Sequence, residues 1–172
     1  MLIDLSDVLA SEGREVTAQV PLELTGFESR MGSFPVVEKS PAAFTFTNIE
    51  PHKARISGKA KLVFLACCDR CLTEVPLGLE LSFDRIVVFP DAEQEEADDQ
   101  GFMEGSQLDV EAFVYNEIMG NWPVKILCRE DCKGICPECG QNLNMGDCGC
   151  DTFVPDPRMA VIQDIFNGNK EV

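Results

Sequence analysis

Nine cysteines constrain this 172-residue chain more than any other feature, and eight of them fall into close pairs. The pairs are Cys68/Cys71, Cys128/Cys132, Cys136/Cys139 and Cys148/Cys150. In a reducing compartment, cysteines clustered this way point to metal binding rather than to a disulfide framework. Four pairs supply eight thiolates, enough for two tetrahedral four-cysteine sites with bonds of about 2.3 Å. The ninth, Cys67, belongs to no pair and is expected to be a small buried apolar residue.

The most specific signal is Cys136-Pro137-Glu138-Cys139-Gly140. A two-residue spacer lets both sulfurs reach one metal from a single turn. Proline pre-sets that turn, and glycine can take the positive φ that follows. The expected closing pair is Cys148-Gly149-Cys150, whose sulfurs share a face because residues two apart do so in extended chain. This set, Cys136, Cys139, Cys148 and Cys150, is site 1. The loop from 140 to 147 holds too few apolar residues to fold alone, and a structural zinc would supply on the order of 10 kcal/mol. Cys68, Cys71, Cys128 and Cys132 would form site 2, tying the tail across a long sequence gap. Spacing leaves another partition open, with Cys132 joining Cys136 and Cys139. It also leaves iron open, since four thiolates do not distinguish a rubredoxin-like iron from zinc. Zinc, about two ions per chain, is the default for sites that hold a fold together. Cys132-x3-Cys136-x2-Cys139 has the spacing of a radical-SAM motif, but antiparallel strands rather than a βα barrel precede it. A thioredoxin-like use of Cys68/Cys71 would need a strand–helix setting.

Ahead of the cysteines the chain alternates like an antiparallel sheet with one buried face. Val16, Ala18, Val20, Leu22 and Leu24 make one run, and Phe44 and Phe46 a shorter one. Ile56 to Ala66 and Val75 to Phe83 are longer and flank Cys67-Cys68-Asp69-Arg70-Cys71, a hairpin with cysteines at its tip. The stretch with Gly26, Gly32 and Pro35 reads as turns, and Gly58 as a bulge. Residues 90–107 carry seven acids and no base, the composition of a flexible loop. Asp109 then caps a helix through Val110, Phe113, Val114, Ile118 and Trp122, which Pro123 stops. That helix is expected to cover the buried face of the sheet. A last helix is expected to begin at Asp156-Pro157. The fold class is therefore α+β: an antiparallel sheet with a covering helix over 1–127, then a cysteine-rich zinc module and terminal helix over 128–172.

Several functions are disfavoured. The start of the chain lacks the pattern of a signal peptide, and no apolar run approaches the ~20 residues of a membrane span, so a cytosolic protein is expected. One histidine, His52, in an expected exposed turn, leaves little for Ser-His-Asp or Cys-His chemistry. No His-Glu-x-x-His, Walker A loop or Gly-x-Gly-x-x-Gly occurs. Eight paired thiolates suggest closed rather than catalytic sites. The net charge of −16 repels bare phosphate backbone and suits basic protein partners.

Taken together, these residues resemble a bacterial family, the YceD-like large ribosomal RNA subunit accumulation proteins. Ile3-Asp4-Leu5-Ser6 with Glu12-Gly13 is similar to its opening, and Cys68-Asp69-Arg70-Cys71-Leu72 to its central signature. Cys128 through Asn144, Cys148-Gly149-Cys150 and Asp156-Pro157-Arg158 resemble its C-terminal segment. The doubled Cys67-Cys68 departs from the pattern and leaves the ligand at the tip open. The resemblance implies a non-enzymatic role in accumulation or processing of large-subunit (23S) rRNA. Expected partners are ribosomal proteins or rRNA-processing factors, with pre-rRNA as an alternative, and neither membrane nor small-molecule substrate. Two other readings use the same features: an iron or thiol redox protein, and a zinc-dependent protein-binding adaptor.

Overall fold

The computed structural model describes residues 1–10, 13–89 and 101–150. The helix expected from Asp156, and most of the acidic stretch from residue 90, lie outside them. The described residues pack as two compact units: Met1–Cys67 with Glu74–Ile126, and Cys68–Thr73 with those from Leu127 to Cys150.

The first unit is built on a curled antiparallel sheet. Its strands are β2 (Glu15–Val20), β3 (Gly26–Ser29), β4 (Gly32–Lys39), β5 (Ala42–Glu50), β6 (Lys53–Cys67) and β7 (Glu74–Val88). The order is β2-β5-β6-β4-β3, with β7 paired along the whole of β6. β6 is long enough to serve two strands in turn, β5 from Lys53 to Lys59 and β4 from Leu62 to Phe64. Period-two alternation places Ala54, Ile56, Ala60, Leu62, Phe64 and Ala66 on the buried face of β6. Leu79, Leu81 and Phe83 of β7 and Ala42, Phe44 and Phe46 of β5 share it.

Two expectations are corrected here. The stretch read as turns is the hairpin β3–β4, registered Gly26↔Pro35 to Ser29↔Gly32. Its strands lack clean alternation; what fixes them is Phe27, fully buried, with Phe34 stacked beside it at 6.4 Å. Gly58 is no bulge, because its pairing to Phe44 and Phe83 is in unbroken register. A Cβ there would lie 2.0 Å from the Ala43 carbonyl oxygen and 2.7 Å from the Phe83 ring. Glycine is needed for close packing, not for a kink.

A short helix α1 runs Ser6–Leu9, and the covering helix α2 runs Val110–Asn121. The Asp109 carboxylate accepts hydrogen bonds from the Glu111 and Ala112 N–H groups, satisfying donors that the first turn leaves free. Trp122 ends the helix in extended conformation, ahead of Pro123. Phe113 lies edge-on to Phe44 and Phe83, with centroids 5.9 and 5.1 Å away. Trp122 closes on Phe27, Phe34 and Phe64 at 4.8, 4.6 and 5.2 Å. Glu117, on the buried side of α2, is compensated by Arg85 Nε at 2.7 Å. Residues 101–107, assigned from sequence to the acidic loop, are partly ordered into strands. Met103–Glu104 (β8) and Gln107–Asp109 (β9) form a small sheet with Leu2–Asp4 (β1). The reason is local: Phe102, Met103 and Leu108 interrupt the acids with surface worth burying.

Candidate metal centre

The second unit begins at the tip of the β6–β7 hairpin and resumes at Leu127. Its two Cys-x-x-Cys turns are built alike. In Cys68–Thr73 the Cys68 N–H donates to the Thr73 carbonyl and the Leu72 N–H to the Cys68 carbonyl, both at 2.9 Å. In Cys136–Gln141 the Cys136 N–H donates to the Gln141 carbonyl at 2.8 Å and the Gly140 N–H to the Cys136 carbonyl at 2.9 Å. The residue after the second cysteine is left-handed in both, Leu72 with φ 60° and Gly140 with φ 74°. Glycine takes that conformation freely and leucine at a cost. Each turn caps a hairpin: the first closes two 15-residue strands, the second the single antiparallel bridge Ile135↔Asn142. The sequence hides the kinship of the two turns, because leucine stands at 72 where glycine stands at 140.

The eight expected cysteines are drawn into two groups. One gathers Cys68, Cys71, Cys128 and Cys132, the other Cys136, Cys139, Cys148 and Cys150, the sulfurs of each group lying within 4.8 Å of one another. Cys132 lies with the former group and not with Cys136 and Cys139. Cys67 joins neither; it is exposed where a buried residue was expected, since strand alternation turns it away from the side of buried Ala66. His52, exposed in the β5–β6 turn with φ 63°, also joins neither.

The spacing between sulfurs tests the fit to a metal. Cys68 Sγ and Cys132 Sγ are 3.8 Å apart, and Cys71 Sγ and Cys128 Sγ 3.6 Å. A tetrahedron of sulfurs with metal–sulfur bonds of about 2.3 Å has edges of about 3.8 Å, whereas a disulfide needs about 2.05 Å. The donor set and its spacing thus suit a tetrahedral thiophilic cation in the first group, and the second gathers the same four donors within 4.8 Å.

Electrostatics point the same way. Burial alone would push the Cys68 thiol up, but the backbone N–H groups of Cys128, Cys71 and Arg70 aimed at its sulfur bring it down to about 6. The N–H groups of Cys139 and Glu138 hold Cys136 at about 7. The Thr73 hydroxyl, 3.3 Å from Cys71 Sγ, and the Thr73 N–H lower Cys71. Burial, with the sulfurs of Cys132, Cys71 and Cys68, pushes Cys128 up to about 12. The sulfurs of Cys139 and Cys148 push Cys150 up to about 12. In each group one sulfur ionises readily and another resists, because thiolates this close repel. A divalent cation at the centre removes that conflict.

The groups differ in depth. Cys68, Cys71 and Cys132 are buried, with Leu127 against them, whereas in the other group Cys136 is buried and Cys139 exposed. Sequence reasoning also missed the polar residues that meet the sulfurs. Asn144 Nδ2 reaches Cys132 Sγ at 3.3 Å, and Asn142 Nδ2 reaches Thr73 Oγ1 at 3.3 Å.

A curled antiparallel sheet that continues into two four-cysteine groups able to hold metal ions is the class of protein this is. The chain belongs to the YceD family, whose model, described as large ribosomal RNA subunit accumulation protein YceD, matches residues 56–166. That span runs from β6 through both cysteine groups. Among curated proteins, the uncharacterized protein Rv2926c of Mycobacterium tuberculosis is 30% identical over 79 residues, 44% of this chain and 38% of that one. The uncharacterized protein YlbN of Bacillus subtilis is 26% identical over 136 residues, 78% of this chain and 72% of that one. The uncharacterized protein ML1660 of Mycobacterium leprae is 26% identical over 91 residues, 51% and 42% of the two chains. The match thus spans about two fifths of the mycobacterial relatives' length. No solved structure matches the chain. No helix among the described residues is long and apolar enough to cross a membrane.

Proposed function

We propose that this protein is a zinc-stabilised, non-enzymatic factor of ribosome biogenesis that supports accumulation or processing of large-subunit (23S) rRNA. The observation that carries the reading is the family match over residues 56–166, which takes in both cysteine groups. Cys68, Cys71, Cys128 and Cys132 hold one zinc, and Cys136, Cys139, Cys148 and Cys150 the other. Supporting this are the two all-thiolate donor sets, each within 4.8 Å, and the sulfur distances of 3.8 and 3.6 Å in the first of them. Four protein thiolates leave no position open for a water or substrate, so the metals act by holding the chain. A net charge of −16 repels bare phosphate and favours basic ribosomal proteins or rRNA-processing factors as the direct partners. The place of action is then the cytoplasm.

Depleting the protein in cells and quantifying precursor and mature large-subunit rRNA tests the reading. Mature 23S rRNA should fall while precursors rise or decay. Unchanged levels of both would refute the role. Metal analysis of anaerobically purified protein should return about two zinc per chain; stoichiometric iron with a visible charge-transfer band would instead support electron transfer. In-cell crosslinking should recover ribosomal proteins or processing factors, and recovery of pre-rRNA alone would overturn the preference for protein partners.

A further inference from the structure

The loop between Cys139 and Cys148 does more than join two halves of one cysteine group. Asn144 Nδ2 donates to Cys132 Sγ at 3.3 Å and to Asn142 Oδ1 at 2.8 Å. Its Oδ1 accepts from the Lys133 N–H and from Arg129 Nη2, both at 2.8 Å. With the oxygen engaged twice, only the amide nitrogen can face the sulfur. Asn142 is placed by the bridge to Ile135; its Oδ1 also accepts the Asn144 N–H at 3.0 Å, and its Nδ2 donates to Thr73 Oγ1 at 3.3 Å. Thr73 Oγ1 in turn lies 3.3 Å from Cys71 Sγ. Two sulfurs of the buried group are thus met by a polar chain that starts in the loop of the other group.

We infer that Asn142 and Asn144 are positioning residues that couple the two cysteine groups: the loop closed by Cys136, Cys139, Cys148 and Cys150 supplies outer hydrogen bonds to the other group, to Cys132 directly and to Cys71 through Thr73. The inference rests on the metal-binding reading above. Outer-shell donors orient a thiolate and draw charge from it, and their loss typically costs 10–100-fold in metal affinity. A loop of this composition keeps its shape only when its own cysteines are drawn together. Filling one group therefore strengthens the other, and reciprocity requires the same factor in both directions.

Co²⁺ exchanged into the reduced full-length protein, titrated against a competing chelator, reads this out. The wild-type chain should take up two Co²⁺ with positive cooperativity. Cys136→Ser with Cys139→Ser should leave one Co²⁺, bound at least about tenfold more weakly than the tighter wild-type ion. Asn144→Ala keeps all eight thiols and should weaken one ion by about tenfold. It should also move the thiolate-to-cobalt charge-transfer band to longer wavelength, because a sulfur without its hydrogen bond gives up charge more easily. A purely structural asparagine would not move that band. Two ions bound independently in the wild type, or an unchanged band and affinity in Asn144→Ala, would overturn the coupling while leaving two metal sites standing. A wild-type chain that binds no Co²⁺ and carries no zinc would overturn the metal reading, and the coupling with it.

Discussion

The two units are held together by different means. The sheet unit buries an apolar cluster that runs from Leu5 through the phenylalanines of β5, β6 and β7 to Ile118. In the cysteine unit the buried cluster is Cys68, Cys71 and Cys132, with Leu127 the apolar neighbour against it. One unit can fold by removing apolar surface from water. Among its described residues the other has little to remove, and on the proposed reading its cohesion comes from what its sulfurs bind. If zinc fills both groups, as proposed, the second unit is conditional on metal in a way the first is not.

The largest effect expected is removal of the metal. A strong chelator should cost the cysteine unit on the order of 10 kcal/mol and unfold it. Hydrogen exchange at the Ile135, Cys136 and Leu143 amides should become fast, while β5, β6 and β7 stay protected. Continued protection of the cysteine-unit amides would break the comparison. Next comes the converse. Phe44→Ala, in the core of the sheet unit, should cost about 3–5 kcal/mol in denaturant unfolding. At low denaturant the variant should still carry its full zinc. Loss of zinc from the folded variant would mean that the units do not depend on separate forces.

Smaller effects sharpen the picture within each unit. Asp109→Ala removes the acceptor for the Glu111 and Ala112 N–H groups and should destabilise the sheet unit by about 1 kcal/mol. A Tm unchanged from wild type would mean the cap is dispensable. The two turns allow a paired test. Leu72→Gly relieves a left-handed leucine that is 63% exposed and should gain up to about 1 kcal/mol in the cysteine unit. Gly140→Ala should lose about the same, since nothing crowds a Cβ there and the backbone conformation alone opposes it. Chelator resistance of the zinc form reads both. Equal signs for the two would show that the turns are not equivalent.

Local patterns were the legible part of this protein. Alternation located β2, β5, β6 and β7, and the run from Asp109 to Pro123 located α2, because burial on one face writes a period into the chain. The β3–β4 hairpin was not legible, because what holds it is Phe27, paired with Phe34 across the hairpin, meeting Tyr115 and Trp122 from distant positions. Gly58 was misread for the same reason: its neighbours, Ala43 and Phe83, come from other strands.

The cysteines divide along the same line. Spacing by itself determined that two sulfurs sit on each tight turn, since a two-residue spacer leaves little other geometry. It could not decide which pairs meet. Cys68 and Cys132 are 64 residues apart, and their encounter depends on the path of all the chain between them. Nor could it show that Asn142 and Asn144, unremarkable in a polar loop, lie beside Thr73 and Cys132. A side chain's partners across the fold are set by three-dimensional packing, which short-range spacing does not encode.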